Sequence, residues 1–139
     1  MKVVRPNFEK REGNLVVVVT QDATTKQVLM VAYADETAWR RTLETGIATY
    51  YSTSRKKLWV KGEESGNFLK MVDMRIDCDG DALVYLVEPQ GNKLACHTNA
   101  KSCFFRSVTG VTQDEPAPKI SEKEHLSCVE VDTHSHFFQ

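Results

Sequence analysis

Two stretches of this chain carry side chains able to do chemistry: Asp77-Cys78-Asp79-Gly80-Asp81, and Cys96-His97-Thr98-Asn99-Ala100-Lys101-Ser102-Cys103. Thiolate sulfur suits zinc and carboxylate oxygen suits magnesium, so soft and hard donors are both on offer. Successive side chains of an extended strand point to opposite faces, which puts Asp77 and Asp79 on one face and Cys78 on the other. Two sites are therefore expected. One is an oxygen site of Asp77, Asp79 and Asp81, with Gly80 letting the backbone turn so that Asp81 comes back toward the other two. The other is a sulfur site of Cys78, Cys96 and Cys103. If Cys78 faces away from the other two cysteines of its own chain, a symmetric dimer could bring it to them from a second subunit.

Three thiolates leave the fourth position of a tetrahedral zinc open to water, but anionic sulfur quenches the metal's charge and lowers the pKa of that water less than histidine ligands do. A nearby base would help, and His97 is the candidate. If His97 were instead the fourth ligand, the site would be a closed, non-catalytic Cys3His module. Bland readings stand beside these. Free cysteine is a common buried apolar residue, and for Cys78 the inert-core reading weighs as much as the ligand reading. A calcium loop also fits Asp77, Asp79, Asp81 and Glu88, but it fails where Ala82 stands in place of the required glycine and where Leu83 to Val87 reads as a strand.

A third stretch, Trp59-Val60-Lys61-Gly62-Glu63-Glu64-Ser65-Gly66-Asn67, is too rich in glycine and charge for a core strand. It has the make-up of a ligand-contacting loop: glycines for close backbone approach, Ser65 to hydrogen-bond, and Lys61 to neutralise a phosphate. A solvated turn has the same composition. The Arg55-Lys56-Lys57 cluster is likewise a charged hairpin tip or a source of phosphate-binding cations.

Around these stretches the chain reads as β-rich α+β, a small twisted sheet or partial barrel with one main helix. Leu15 to Thr20 and Val28 to Tyr33 form a strand pair across a polar connection. Asp35 caps a helix from Glu36 to Thr45 that has Ala38, Trp39 and Leu43 on or near one face and stops at Gly46. Further strands are expected at Ile47 to Ser52, Leu58 to Val60, Phe68 to Cys78, Ala82 to Glu88 and Phe104 to Val108, with a turn at Pro89-Gln90-Gly91-Asn92. Residues 1–111 then make one domain and residues 112–139 a polar appendage, in which Leu126 to Val131 could add an edge strand and Cys128, His125, His134 and His136 have no assigned role.

The chain has 139 residues with 18 basic against 19 acidic, a formal charge of -1, so no global field draws it to nucleic acid or an anionic membrane. Its apolar runs are far below the roughly 20 residues that span a bilayer, and no secretory h-region follows the N-terminus. A cytoplasmic location with reduced thiols is expected.

In this order, Ser52-Thr53-Ser54-Arg55 before Leu58-Trp59, Trp59 to Gly66, Asp77 to Asp81, and Ala95-Cys96-His97-Thr98 followed by Ser102-Cys103-Phe104 resemble the phosphoribosyl-AMP cyclohydrolase family of histidine biosynthesis, over roughly residues 10 to 106. The resemblance implies hydrolytic opening of the purine ring of 1-(5-phosphoribosyl)-AMP between N1 and C6. It implies an intertwined homodimer with Zn2+ held by Cys78 of one subunit and Cys96 and Cys103 of the other, and Mg2+ at Asp77, Asp79 and Asp81. His97 would then move protons, and Arg55 and Lys61 would meet the phosphates, with Arg75 and Lys101 behind them. The chain departs from the pattern at Asn67, where relatives often carry histidine. A pyrophosphohydrolase domain, fused behind the cyclohydrolase in some relatives, is not expected in the residues after Val108.

Overall fold

The structure, a computed structural model, describes residues 2–109. The appendage, the Leu126 to Val131 strand, Cys128 and the three C-terminal histidines lie outside the described residues. Six strands and one helix follow in the order β1 (Val16–Asp22), β2 (Val28–Ala34), α1 (Glu36–Thr45), β3 (Thr49–Ser52), β4 (Lys57–Val60), β5 (Leu69–Ile76) and β6 (Ala82–Pro89). They form one sheet in the order β4-β3-β2-β1-β6-β5.

Each neighbouring pair is antiparallel except β1 and β6, which run parallel with Val17 opposite Ala82 and Asp22 opposite Val87. The chain just before β3 also meets β5: Ile47 bridges Lys70, Ala48 N–H donates to Leu69 O at 2.9 Å, and Met71 N–H donates to Gly46 O at 2.8 Å. The sheet is thereby curled into a half-barrel, as the strand-rich partial barrel with one main helix anticipated.

Inside the curl, alternating residues of the central strands are fully buried: Val16, Val18 and Thr20 of β1, Leu83, Tyr85 and Val87 of β6, and Tyr50 of β3. Burying side chains of this size, at roughly 25 cal/mol per Å2 of apolar surface, is the main force holding the curl closed. The polar tips among them are paired. Tyr50 Oη and Thr20 Oγ1 are 2.7 Å apart, and Tyr85 Oη lies 3.4 Å from Thr42 Oγ1.

Helix α1 has the ends its sequence demands. Asp35 accepts the Ala38 N–H at 2.8 Å, and Gly46 is left-handed at φ 70° and donates its N–H to Thr42 O. Of the three apolar residues on or near one face, Ala38 and Trp39 are buried, with Thr42 beside them, while Leu43 at the margin is 44% exposed. Thr42 is held inside because its hydroxyl reaches the Ala38 and Thr49 carbonyl oxygens at 2.9 and 3.1 Å and accepts the Thr49 N–H at 3.0 Å. A leucine there would leave these groups unpaired.

No strand forms at Phe104 to Val108. The chain is held just before it instead, where Ser102 Oγ donates to Val28 O at 2.6 Å and Cys103 N–H donates to Leu29 O at 2.7 Å, and the Phe104 N–H is taken by Ser102 Oγ. Among the described residues, no helix is long and apolar enough to cross a membrane.

Candidate active site and metal ligands

A cavity of about 390 Å3 opens between the β3–β4 turn, the 61–67 loop and the loop after β6. Its walls bring together Arg55, Lys61, Ser65, Cys96 and His97, with Lys57, Trp59, Glu63, Glu64 and Asn67 beside them. Four side chains singled out as substrate-binding or catalytic thus share one space. Arg75 and Lys101 do not line it, and Arg75 sits on exposed β5 beside Asp73 at 3.5 Å.

Each wall has a local cause. Ser52 Oγ accepts the Arg55 N–H at 3.2 Å and turns the chain between β3 and β4. The 61–67 loop folds tightly on itself, Glu63 N–H to Val60 O at 3.1 Å and Gly66 N–H to Gly62 O at 2.8 Å. Gly62 is obligatory there: its φ is 89°, and a Cβ would stand 2.4 Å from the Asn67 carbonyl carbon. The third wall is a tight turn in which Asn99 N–H donates to Cys96 O at 3.0 Å and Cys96 N–H to Ala100 O at 3.1 Å, leaving His97 exposed at the tip.

Cys96 and Cys103 are near enough for their thiols to influence one another, and Cys96 Sγ lies 2.9 Å from Thr98 Oγ1. Cys103 is exposed as a residue, but loss of solvent around its sulfur, followed by the adjacent Cys96, pushes its thiol up to about 12. Burial lowers the pKa of Lys61, against the opposing influence of Cys103 and then Cys96 nearby. Its ammonium also stands 5.8 Å from the centre of the Trp59 ring. Cys96 and Cys103 would offer a soft cation such as zinc two sulfur donors, so the residue types here fit a thiolate site.

Cys78 does not join them within one chain. It is exposed in the turn after β5, whereas Cys96 follows β6 at the other end of the β5–β6 ladder, whose last pair is Leu69 with Pro89. An eight-residue strand lies between the two ends, about 25 Å at 3.3 Å per residue.

The carboxylates behave differently. Asp77, Asp79 and Asp81 place one ligand oxygen each within 4.8 Å of one another, and among the described residues they form the one such group of three. They do not sit on an extended strand, as the face argument supposed. β5 ends at Ile76, and a turn follows in which Asp77 Oδ1 accepts the Asp81 and Ala82 N–H groups at 3.0 and 3.3 Å, with Gly80 at φ 78°. The turn, rather than strand alternation, is what gathers all three acids.

Sequence reasoning missed what faces them. Lys10 pairs with Asp79 and lies 3.4 Å from Asp81, and Arg11 Nη2 is 2.9 Å from Asp81 Oδ2. Arg11, ahead of the other contacts, holds the nearly buried Asp81 carboxyl well below the usual carboxylate range. Oxygen donors at this spacing suit a hard cation, which must compete with Lys10 for Asp79.

Residues 30–105 match the family model for phosphoribosyl-AMP cyclohydrolase. A phosphoribosyl-AMP cyclohydrolase of Archaeoglobus fulgidus is 59% identical over 99 residues, covering 71% of this chain and 90% of that protein. One from Methanothermobacter thermautotrophicus is 50% identical over 115 residues, 81% of this chain and 82% of that protein. The histidine biosynthesis bifunctional protein HisIE of Aquifex aeolicus is 50% identical over 107 residues, and there the match spans 52% of the relative's length.

Proposed function

The chain belongs to the phosphoribosyl-AMP cyclohydrolase family, and from that premise we propose that the cavity between Arg55, Lys61, Ser65 and His97 is where it opens the purine ring of 1-(5-phosphoribosyl)-AMP in histidine biosynthesis. Water adds to C6, which substitution at N1 has made electrophilic. The C6–N1 bond then breaks, and N1 leaves with a proton, giving the formimino-carboxamide ribonucleotide.

One observation carries the reading: side chains from three separate segments, each suited to one part of this substrate, line a single cavity. Arg55 and Lys61 are cations for two phosphate-bearing arms. His97, exposed at its turn, takes a proton from the attacking water and returns it to N1.

We assign zinc to Cys96 and Cys103 of one subunit with Cys78 of the partner subunit, and magnesium to Asp77, Asp79 and Asp81. Bound there, such cations supply a water of lowered pKa and Lewis-acid polarisation of the ring.

Two features support a homodimer. A single chain separates Cys78 from the sulfur pair by the length of β5. The outer face of the sheet is also apolar without a covering layer: Val17 opposite Tyr33, Val19 opposite Val31 and Val84, with Tyr33 and Val31 at 43% and 46% exposure. A second copy of the chain, seated on that face, would cover it and carry its own Cys78 toward the sulfur pair.

The experiment is turnover of 1-(5-phosphoribosyl)-AMP followed by the ultraviolet change as the purine opens, with and without a chelator, together with zinc content and subunit number. The expected result is turnover lost with the metal, and lost in H97A with zinc retained. Cys96→Ser should lose zinc and activity together and weaken dimerisation. Metal-replete protein that leaves the ultraviolet spectrum unchanged would overturn the reading, and loss of zinc in H97A would point to the closed Cys3His module.

A further inference from the structure

We infer that Asn67 and Gly91 form a clasp that sets the spacing between the two walls of the substrate cavity, which makes Asn67 a positioning residue for ring opening. The inference rests on the reaction proposed above, but its grounds are geometric.

The cavity lies beyond the end of the β5–β6 ladder, whose last paired residues are Leu69 and Pro89. Past that point the chain diverges into two loops, one carrying Lys61 and Ser65, the other leading through Leu94 to Cys96 and His97. The pleated ladder no longer fixes their separation. Gln90 N–H donates to Phe68 O at 2.8 Å just outside the last pair, and the clasp comes next.

Asn67 Oδ1 accepts the Asn92 N–H at 2.9 Å, tying one loop to the other. Gly91, left-handed at φ 64°, lies so close that a Cβ on it would stand 2.6 Å from Asn67 Oδ1 and 2.7 Å from Gly66 O. Asn67 Oδ1 and Gly66 O therefore fill the space a side chain on residue 91 would need, a contact open only to glycine. Ser65 Oγ accepts the Asn67 N–H at 3.2 Å, so the same residue that holds the opposite loop also holds Ser65.

The consequence is specific. His97 and Cys96 are fixed by their own turn, whereas Lys61 and Ser65, on the opposite wall of the cavity, are placed relative to them through the clasp. Loosening it should spoil substrate binding before it touches the chemical step, because a misplaced wall loses oriented contacts.

The test compares KM and kcat of the metal-replete enzyme for N67A, N67H, G91A and N67A/G91A, with Tm measured for each. N67A is expected to raise KM about tenfold with kcat within about twofold of wild type. A merely structural loss would instead lower kcat with the folded fraction and leave KM alone. In N67H the neutral imidazole places Nδ1 where Oδ1 was and can accept the Asn92 N–H; once protonated, near pH 6.5, it cannot. Its KM relative to wild type at the same pH should be near unity at pH 8 and approach the N67A ratio near pH 5.5. G91A should also raise KM, and the double variant should be no worse than the worse single.

An N67A KM within twofold of wild type, or an N67H ratio independent of pH, would overturn the clasp. If N67A fails to fold, the N67H ratio decides alone. Absence of turnover in the wild type is distinguishable from either result, since it refutes the proposed reaction and the role of Asn67 with it.

Discussion

Arg11 Nη2 stands 2.9 Å from Asp81 Oδ2, 70 residues away in sequence, and with Lys10 it brings two cations onto the carboxylate trio. The Asn7 N–H donates to Gly80 O at 2.7 Å, so the N-terminal turn is anchored to the acidic turn by backbone as well as by charge. A divalent ion at the proposed magnesium site has to take Asp79 from Lys10. The double variant K10A/R11A is therefore expected to bind Mn2+ or Mg2+ about three- to tenfold more tightly than wild type by calorimetry, most strongly at low salt. Unchanged affinity would mean that both cations keep their places beside the metal.

Glu36 gives a pH signature at the other end of the same N-terminal segment. Hydrogen bonds from Arg5 first, then Arg40, lower its carboxyl to about 2. A depressed folded value contributes stability that is fully present above the unfolded value, about 4.3, and is lost as pH falls through about 2. The Tm of wild type should exceed that of E36Q near pH 6, and the difference should close between pH 4 and pH 2.

Gly62→Ala should be the most damaging small change in the cavity wall. The added methyl would meet the Asn67 and Phe68 backbone at 2.4 Å in a residue whose φ of 89° resists any side chain. A cost of about 3 kcal/mol is expected by denaturant unfolding, with loss of turnover as the 61–67 loop is displaced.

Tyr50→Phe tests the core without touching the cavity's charged groups. The hydroxyl pair with Thr20, at 2.7 Å, is wholly enclosed, and removing one partner strands the other. Urea unfolding should show a loss of about 1–2 kcal/mol with an unchanged m-value. Destabilisation that vanishes in Thr20→Val/Tyr50→Phe would assign the cost to the stranded hydroxyl.

Local signals were plain in the sequence where chemistry leaves little choice. Asp35 and Gly46 bracket α1 as a carboxylate acceptor and a left-handed terminator must, and the β1–β2 hairpin follows from two apolar runs about a polar turn. The alternation along β5 is broken by a bulge at Val72 that inserts a residue: Met71, Met74 and Ile76 are half-buried while Val72, Asp73 and Arg75 stay outside. The parallel pairing of β1 with β6 joins segments 60 residues apart or more, and no period within either strand encodes it. Arg55, Lys61, Ser65 and His97 could be named from residue type and motif. Lys10 and Arg11 could not, since their role depends on a contact made only after the chain folds. Asn67, which departs from the family's frequent histidine, accepts a backbone N–H, so its place needs no proton-transfer role.

The two ends of β5 hold different halves of the proposed zinc centre, and this makes the defect in one chain repairable by another. Mixing C78S chains with C96S chains should create, in each mixed dimer, one centre built wholly from unmutated cysteines and one doubly broken. With random exchange about half the dimers are mixed, so about a quarter of wild-type activity should reappear from two inactive parents.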